Sequence, residues 1–358
     1  MRSRRRTRAM RNRLAFLATF AGAVALGAHA DACAQSVRGP PVENPAADLA
    51  VPLFTPGAPP APSERVRHFV SVPLKFGGAK IQLSNANVQI DPTEWKTVAI
   101  ADNQIGEPCT LSLIGPSVVL LAAHCVDAGS PAGTKNGATI GADVKFGSGT
   151  YGMRCAISDF YTARKTNAAG APRSSDDYAL CDLSQRVSGL DAEVLDLSTF
   201  TPLTTQIRLM GYGCTDLGIT DDGYYTYTPS DKALRMGQEP IEATGISIYP
   251  DQLGTYIRTT SEGAKQSVLC YGDSGGPVMI VNATGRRRVI GVNSAMGKKP
   301  GATHLTPAFY FYLSPLNTVS FRVFVAAWVA QSEVPPQLRK ERRVCGFNLS
   351  PGIGGCRK

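Results

Sequence analysis

Between about Lys96 and Leu313 the chain never sustains a helical apolar repeat; short apolar runs are cut repeatedly by glycine, proline and other turn formers. Proline fixes φ and lacks an N–H, and glycine reaches backbone conformations that other residues avoid, so both punctuate strands with turns. The pattern predicts an all-β domain of short antiparallel strands. It excludes the regular alternation of strands and long helices that builds a parallel sheet. One helix is expected near the end, where Phe321, Phe324, Val325, Trp328 and Val329 stand at i, i+3, i+4, i+7 and i+8 and form one apolar stripe.

Within this β pattern, Cys270-Tyr-Gly-Asp-Ser-Gly-Gly-Pro277 sets a serine among glycines on a tight turn. A hydroxyl attacks a carbonyl poorly at neutral pH, so it needs a base for its proton and backbone N–H groups aimed at the developing oxyanion. Glycines beside Ser274 let the backbone approach closely enough to supply such donors. The base is found almost by elimination. Of four histidines, His29 lies in an N-terminal leader and His68 in a proline-rich stretch, whereas His124 ends the apolar run Val118-Val-Leu-Leu-Ala-Ala-His-Cys125. Such a run reads as a buried strand delivering one polar ring to its end.

An imidazole base needs a carboxylate to hold its tautomer and stabilise the imidazolium. The segment Asp176-Asp-Tyr-Ala-Leu-Cys-Asp-Leu183 supplies three candidates. Asp177 leads into the apolar run and is assigned the role, while Asp176 suits a solvated turn and Asp182 an outward strand position.

Three blocks, Leu121-Ala-Ala-His124-Cys125, Asp177-Tyr-Ala-Leu180 and Gly272-Asp-Ser274-Gly-Gly-Pro277, follow one another in the order His, Asp, Ser. With the weaker echoes Cys109-Thr-Leu-Ser-Leu-Ile114 and Gly211-Tyr-Gly213, the chain resembles the trypsin/chymotrypsin-like serine proteases over roughly residues 81 to 332. The resemblance implies two six-stranded antiparallel β-barrels with a C-terminal α-helix. His124 and Asp177 then fall in the first barrel and Ser274 in the second. It implies attack by Ser274 on a peptide carbonyl, proton transfer to His124, orientation of the ring by Asp177, an oxyanion hole of the Gly272 and Ser274 N–H groups, and an acyl-enzyme released by water. Polypeptides are the implied substrates, with neither cofactor nor metal.

The same serine also fits the Gly-x-Ser-x-Gly elbow of α/β-hydrolases, whose triad runs serine, acid, histidine. His304 is the only histidine after Ser274, and no Asp or Glu lies between them. The elbow reading therefore lacks its acid. An inactive secreted binder on a trypsin-like fold is the alternative from another functional class.

Specificity is also implied by the resemblance. The pocket floor falls six residues before the serine, at Val268, and the wall at Ser294-Ala295-Met296, with Ser294 contacting the substrate backbone. A valine floor offers a lysine or arginine no counter-charge, so small or medium apolar side chains are expected.

The formal charge is +9, yet Arg2, Arg4, Arg5, Arg6, Arg8, Arg11 and Arg13 crowd the start. Removing residues 1–34, with those seven arginines and Asp31, leaves +3, so the basic balance is no argument for nucleic-acid binding. The arginines precede the apolar stretch 14–26 and the small-residue sites Ala28-His-Ala30 and Ala32-Cys-Ala34, the anatomy of a secretory signal. Cleavage after Ala34 removes Cys33 and leaves eight cysteines, an even set suited to an oxidising compartment. A secreted or periplasmic monomer without membrane insertion is expected.

Four segments follow: a signal peptide over 1–34, a proline-rich propeptide or linker over 35–80, the protease domain over 81–332 and a basic, Cys-containing tail over 333–358. In the family, activation cleavage creates an amino terminus that inserts beside the acid before the nucleophile, here Asp273. Lys80–Ile81 is the candidate bond, with Arg65 and Arg67 as alternatives. Cys109–Cys125 matches the family's bridge at the histidine, and Cys155–Cys181, Cys214–Cys270 and Cys345–Cys356 are the pairings expected of the rest. The Asp- and Tyr-rich insertion 216–227 and the charged Lys340-Glu-Arg-Arg343 read as solvated segments.

Overall fold

The computed structural model describes residues 88–89, 92–101, 108–127, 139–162, 174–198, 201–222, 224–248, 254–262, 266–282, 284–331 and 342–358. The expected signal peptide, proline-rich segment and activation site lie outside these residues. Six strands form the first sheet: β2 (Val98–Ala101), β3 (Cys109–Gly115), β4 (Val118–Leu121), β5 (Thr139–Phe146), β6 (Gly149–Ile157) and β7 (Ala179–Leu183). Their order is β2-β3-β4-β7-β6-β5, every pairing is antiparallel, and the edge strands β2 and β5 lie against each other, closing the sheet toward a barrel.

The second sheet comprises β1 (Val88–Gln89), β8 (Gln206–Gly211), β11 (Arg235–Pro240), β12 (Ala243–Ile246), β13 (Tyr256–Glu262), β14 (Pro277–Val281), β15 (Arg287–Lys298) and β16 (Ala308–Pro315). Its order is β1-β11-β8-β14-β15-β16-β13-β12. The all-β, two-barrel architecture is thus observed, with the second sheet a more open half-barrel of eight strands that takes in short flanking segments. A separate hairpin, β9 (Thr215–Ile219) and β10 (Tyr225–Thr228), pairs only within itself.

The run that delivers His124 shows why the strand is apolar throughout. Val119 and Leu121 point into the first barrel, while Val118 and Leu120 point into a core shared with the second sheet, and all four are fully buried. A strand buried on both faces has no polar alternation to display. After the one-turn α1 (Asp159–Thr162), the shared core is completed by α2 (Val319–Ala330), whose Phe321, Phe324, Val325 and Trp328 are buried on the expected stripe. Thr318 caps it, its Oγ1 accepting from the Phe321 N–H at 3.1 Å. Phe321 meets the Tyr178 ring edge-on at a centroid distance of 4.8 Å, so the helix braces the residue that follows Asp177. No helix among the described residues is long and apolar enough to cross a membrane.

Residues 342–358 belong to the body rather than to a solvated tail. Cys345 donates its N–H to Ile114 O (2.8 Å), Leu195 N–H to Cys345 O (2.9 Å), and Ala192 N–H to Gly355 O (2.7 Å). Cys345, Leu349 and Cys356 are part of the first barrel's core. Arg342, read from the sequence as solvated, is 5 % exposed; it donates to both Asp182 oxygens (2.6–3.1 Å), and its guanidinium lies 4.2 Å from the Trp328 ring centroid. The partner that buries it is 160 residues away in sequence. Arg342→Ala is expected to cost about 3 kcal/mol, because it strands a nearly buried carboxylate and removes a stacked cation. Urea unfolding checks this, and a loss under about 1 kcal/mol would reduce the pair to an ordinary surface bridge.

The eight described cysteines form Cys109–Cys125, Cys155–Cys181, Cys214–Cys270 and Cys345–Cys356.

Candidate active site

His124 sits in a single 3-10 turn, Ala123–Cys125, directly after β4. The buried strand stops at extended Ala122, and the turn lifts the ring out of the core so that its side chain retains 16 % exposure. Asp177, fully buried, precedes β7, which pairs with β4 in the register Leu121↔Ala179. Pairing at that register sets the carboxylate beneath the ring. Asp177 Oδ1 accepts the His124 backbone N–H at 2.8 Å, and Oδ2 lies 2.7 Å from His124 Nδ1. The hydroxyl of Ser294 donates to the same Oδ2 at 2.6 Å.

Burial alone would lower the basicity of the His124 ring. The Asp177 charge, its hydrogen bond and the nearby Asp127 charge outweigh burial, so the ring titrates above its ordinary value. Asp176, expected in solvent, is also buried: the Tyr178 hydroxyl donates to it at 2.9 Å and the Ser320 hydroxyl of α2 also donates to it.

Ser274 lies on the turn between Cys270 and β14. Its carbonyl accepts Thr110 N–H (2.8 Å), and Thr110 Oγ1 donates to Gly272 O (2.8 Å), so β3 of the first barrel staples a turn that belongs to the second. Gly272 has φ +100° and Gly275 φ +82°, a region closed to most side chains. A Cβ on Gly275 would also stand 2.5 Å from Thr110 O. Asp273 and Gly275 donate their N–H groups to Cys270 O (3.0 Å) and Asn293 O (2.8 Å). The alternate N–H groups, of Gly272 and Ser274, have no partner among the described residues.

Asp273 turns inward. Its Oδ1 accepts Gly213 N–H at 2.7 Å and its Oδ2 accepts Cys270 N–H at 2.8 Å. Burial pushes this carboxyl up to about 6, against the opposing pull of those two N–H groups and of Arg235. The ionised form that holds both N–H groups is therefore lost as pH falls through about 6.

His124 and Ser274 line one cavity of about 350 Å³, together with Leu269, Tyr271, Ser294, Ala295, Met296 and Tyr225. The residues expected to bind substrate divide between two cavities. Val268 is buried and lines a different, smaller cavity beside Arg235 and Ser267, whereas Leu269 lines both that cavity and the one at Ser274. Ser294, expected to contact substrate backbone, lines the cavity at Ser274 while its hydroxyl is bonded to Asp177. Ala295 and Met296 line the cavity as a wall. Thr110, Asn293 and Tyr225 were not read as site residues. Asn293 Nδ2 donates to Met210 O (3.0 Å) and Asp273 O (3.1 Å), fastening the turn from behind.

Among the described residues, one trio, Cys109, His124 and Cys125, stands close enough to share a metal, but its two sulfurs are bonded to each other. A disulfide offers no thiolate ligand.

The model of the Trypsin family matches residues 86–319. The chain belongs to the trypsin family. The match spans both sheets from β1 to the first residue of α2 and holds His124, Asp177 and Ser274. A solved structure titled "Structure of Glu endopeptidase in complex with MPD" aligns over 69% of this chain and 97% of its own, at 15% identity and a TM-score of 0.43. No curated protein matches the chain. As a trypsin-family chain it is of the serine-protease class, and such proteins act on peptides.

Proposed function

We propose that this chain is a secreted serine endopeptidase in which Ser274 is the nucleophile, His124 the general base and Asp177 the residue that orients and charge-stabilises the ring. The observation that carries the reading is the doubly held His124–Asp177 pair beside Ser274, with the Gly272 and Ser274 N–H groups left unpartnered on the same turn. Ser274 Oγ attacks the peptide carbonyl carbon and passes its proton to His124. The carbonyl oxygen becomes the oxyanion received by the Gly272 and Ser274 N–H groups, each donor worth about 100- to 1,000-fold in turnover. The imidazolium then protonates the leaving amine. Water repeats the sequence on the acyl-enzyme and frees Ser274.

The side chain that precedes the cleaved bond is proposed to be small or medium and apolar. Leu269, Met296 and Tyr225 give the cavity apolar walls, and both oxygens of Asp273, the one carboxylate on its lining, are already occupied by N–H groups. A lysine or arginine entering it would be stripped of water without a counter-charge. Export rests on the arginine-led apolar leader and the four disulfides. The alternative of an inactive binder draws no support from a site with all three residues present and two of them paired.

A fluorophosphonate probe, which reacts only with an activated serine, is expected to label Ser274 of the purified protein. A peptide library cut by the same sample is expected to show apolar residues before the scissile bond. Absence of labelling would overturn the hydrolase reading, and cleavage after lysine or arginine would overturn the specificity.

A further inference from the structure

The insertion that reads from the sequence as a solvated Asp- and Tyr-rich loop is the β9–β10 hairpin, and it leans on the candidate active site. Leu217 and Ile219 of β9 are buried in the second sheet's core, which anchors the hairpin's inner face. Tyr225 pairs with Ile219 and lines the cavity at Ser274, its ring 6.2 Å from that of Phe309 in β16. Two residues on, Tyr227 packs against Tyr271 at a centroid distance of 4.9 Å, and Tyr271 lies three residues before Ser274 on the cavity's rim. At the hairpin's tip Asp221 Oδ1 stands 3.0 Å from His304 Nδ1, in the loop that joins β15 to β16. The hairpin is thus tied at three places: to the core, to the nucleophile turn and to the loop that follows the cavity wall.

We infer that the β9–β10 hairpin is the specificity element of this enzyme, with Tyr225 as the residue that caps the cavity and limits the side chain it accepts to small and medium apolar groups. The inference rests on the endopeptidase reading above and deepens it. Tyr225 shares the cavity's lining with Met296 and Leu269, so its ring takes up wall space that the rim of a phenylalanine or tyrosine side chain would need. A phenol at that position excludes by volume; it offers no charge to select a cation or an anion. Differences of one methylene in such pockets change selectivity by about 10- to 200-fold, and the ring of Tyr225 is several times that volume. Tyr227 and Tyr271 extend the apolar surface from the rim outward, which suits an extended peptide lying across the mouth.

The test compares kcat/KM for two otherwise identical peptides with Phe or Val before the scissile bond, in wild type, Tyr225→Ala and Tyr225→Phe. Tyr225→Ala is expected to raise the Phe/Val ratio at least about tenfold, while Tyr225→Phe, which keeps the ring, retains the wild-type ratio. Should Tyr225→Ala fail to fold, Tyr225→Leu is read by the same criterion. Fluorophosphonate labelling of Ser274 in each sample separates the two claims. Labelled variants with an unchanged ratio overturn the role of Tyr225 and leave the hydrolase standing. An unlabelled, inactive wild type overturns the hydrolase reading itself.

Discussion

Ser274→Ala is expected to lower turnover of a peptide amide by about a million-fold while the fold survives. The second half of that statement follows from how the turn is held. Thr110 N–H bonds the Ser274 carbonyl, Thr110 Oγ1 bonds Gly272 O, Gly275 N–H bonds Asn293 O and Gly276 N–H bonds Asp273 O. None of these uses the Ser274 hydroxyl. Alanine therefore removes one oxygen atom and leaves the staples, the inward Asp273 and the Gly272 and Ser274 N–H groups in place. The first half follows from chemistry: without the hydroxyl no acyl-enzyme forms, and what remains is the contribution of oxyanion donors and binding, about 1,000- to 10,000-fold over water. Thermal unfolding superimposable on wild type, with kcat cut about a million-fold, is the predicted pair of results. Retention of even a tenth of the activity would remove Ser274 from the role.

How far the sequence could be read depends on whether an interaction is local. Ser274, His124 and Asp177 each stand in a short contiguous block, and the run Val118–Leu121 announces a strand buried on both faces without any knowledge of its neighbours. The helix stripe of Phe321, Phe324, Val325 and Trp328 is legible for the same reason. Asp176 failed because one of its two donors, the Ser320 hydroxyl, lies 144 residues on, and the other, Tyr178 two residues away, is held over it by packing against the same distant helix. A carboxylate that looks solvated in sequence is buried once long-range donors meet it. Arg342 failed in the same way, through Asp182 and Trp328. Tyr225 was beyond sequence altogether. An inserted loop reveals its composition but not the wall on which it folds, and only the anchoring of Leu217 and Ile219 decides that its tyrosine faces the cavity. A faint signal existed: the apolar pair Leu217 and Ile219 at period two inside a polar insertion is what a half-buried hairpin strand requires.

Asp177→Asn is expected to lower kcat/KM by about 10,000-fold and to move its acid limb to lower pH. The carboxylate receives three donors. His124 N–H goes to Oδ1, whereas His124 Nδ1–H and the Ser294 hydroxyl share Oδ2. Asparagine can keep the first of these through its carbonyl, but its NH₂ then stands where Oδ2 was. Ser294 can reverse and accept from it, since a hydroxyl both donates and accepts; His124 Nδ1 can accept only by giving up its proton. The ring is then held in the tautomer with its proton on Nε2, the nitrogen that must be bare to take the proton from Ser274. That is a loss of the base without a loss of the residue. The pH dependence follows from the same contact. In wild type the Asp177 charge and hydrogen bond, with help from Asp127, hold the ring above its ordinary value in spite of burial. The base must be neutral to act, so activity rises as pH climbs through that raised value. Removing the Asp177 charge leaves burial to act with less opposition, and the limb falls. A kcat/KM profile of both proteins on one peptide measures plateau and limb together, and Ser294→Ala, which removes only the third donor, supplies the contrast of a small plateau loss. An Asp177→Asn plateau within tenfold of wild type, or a limb that moves upward, would show that His124 does not depend on Asp177 for its tautomer or its charge.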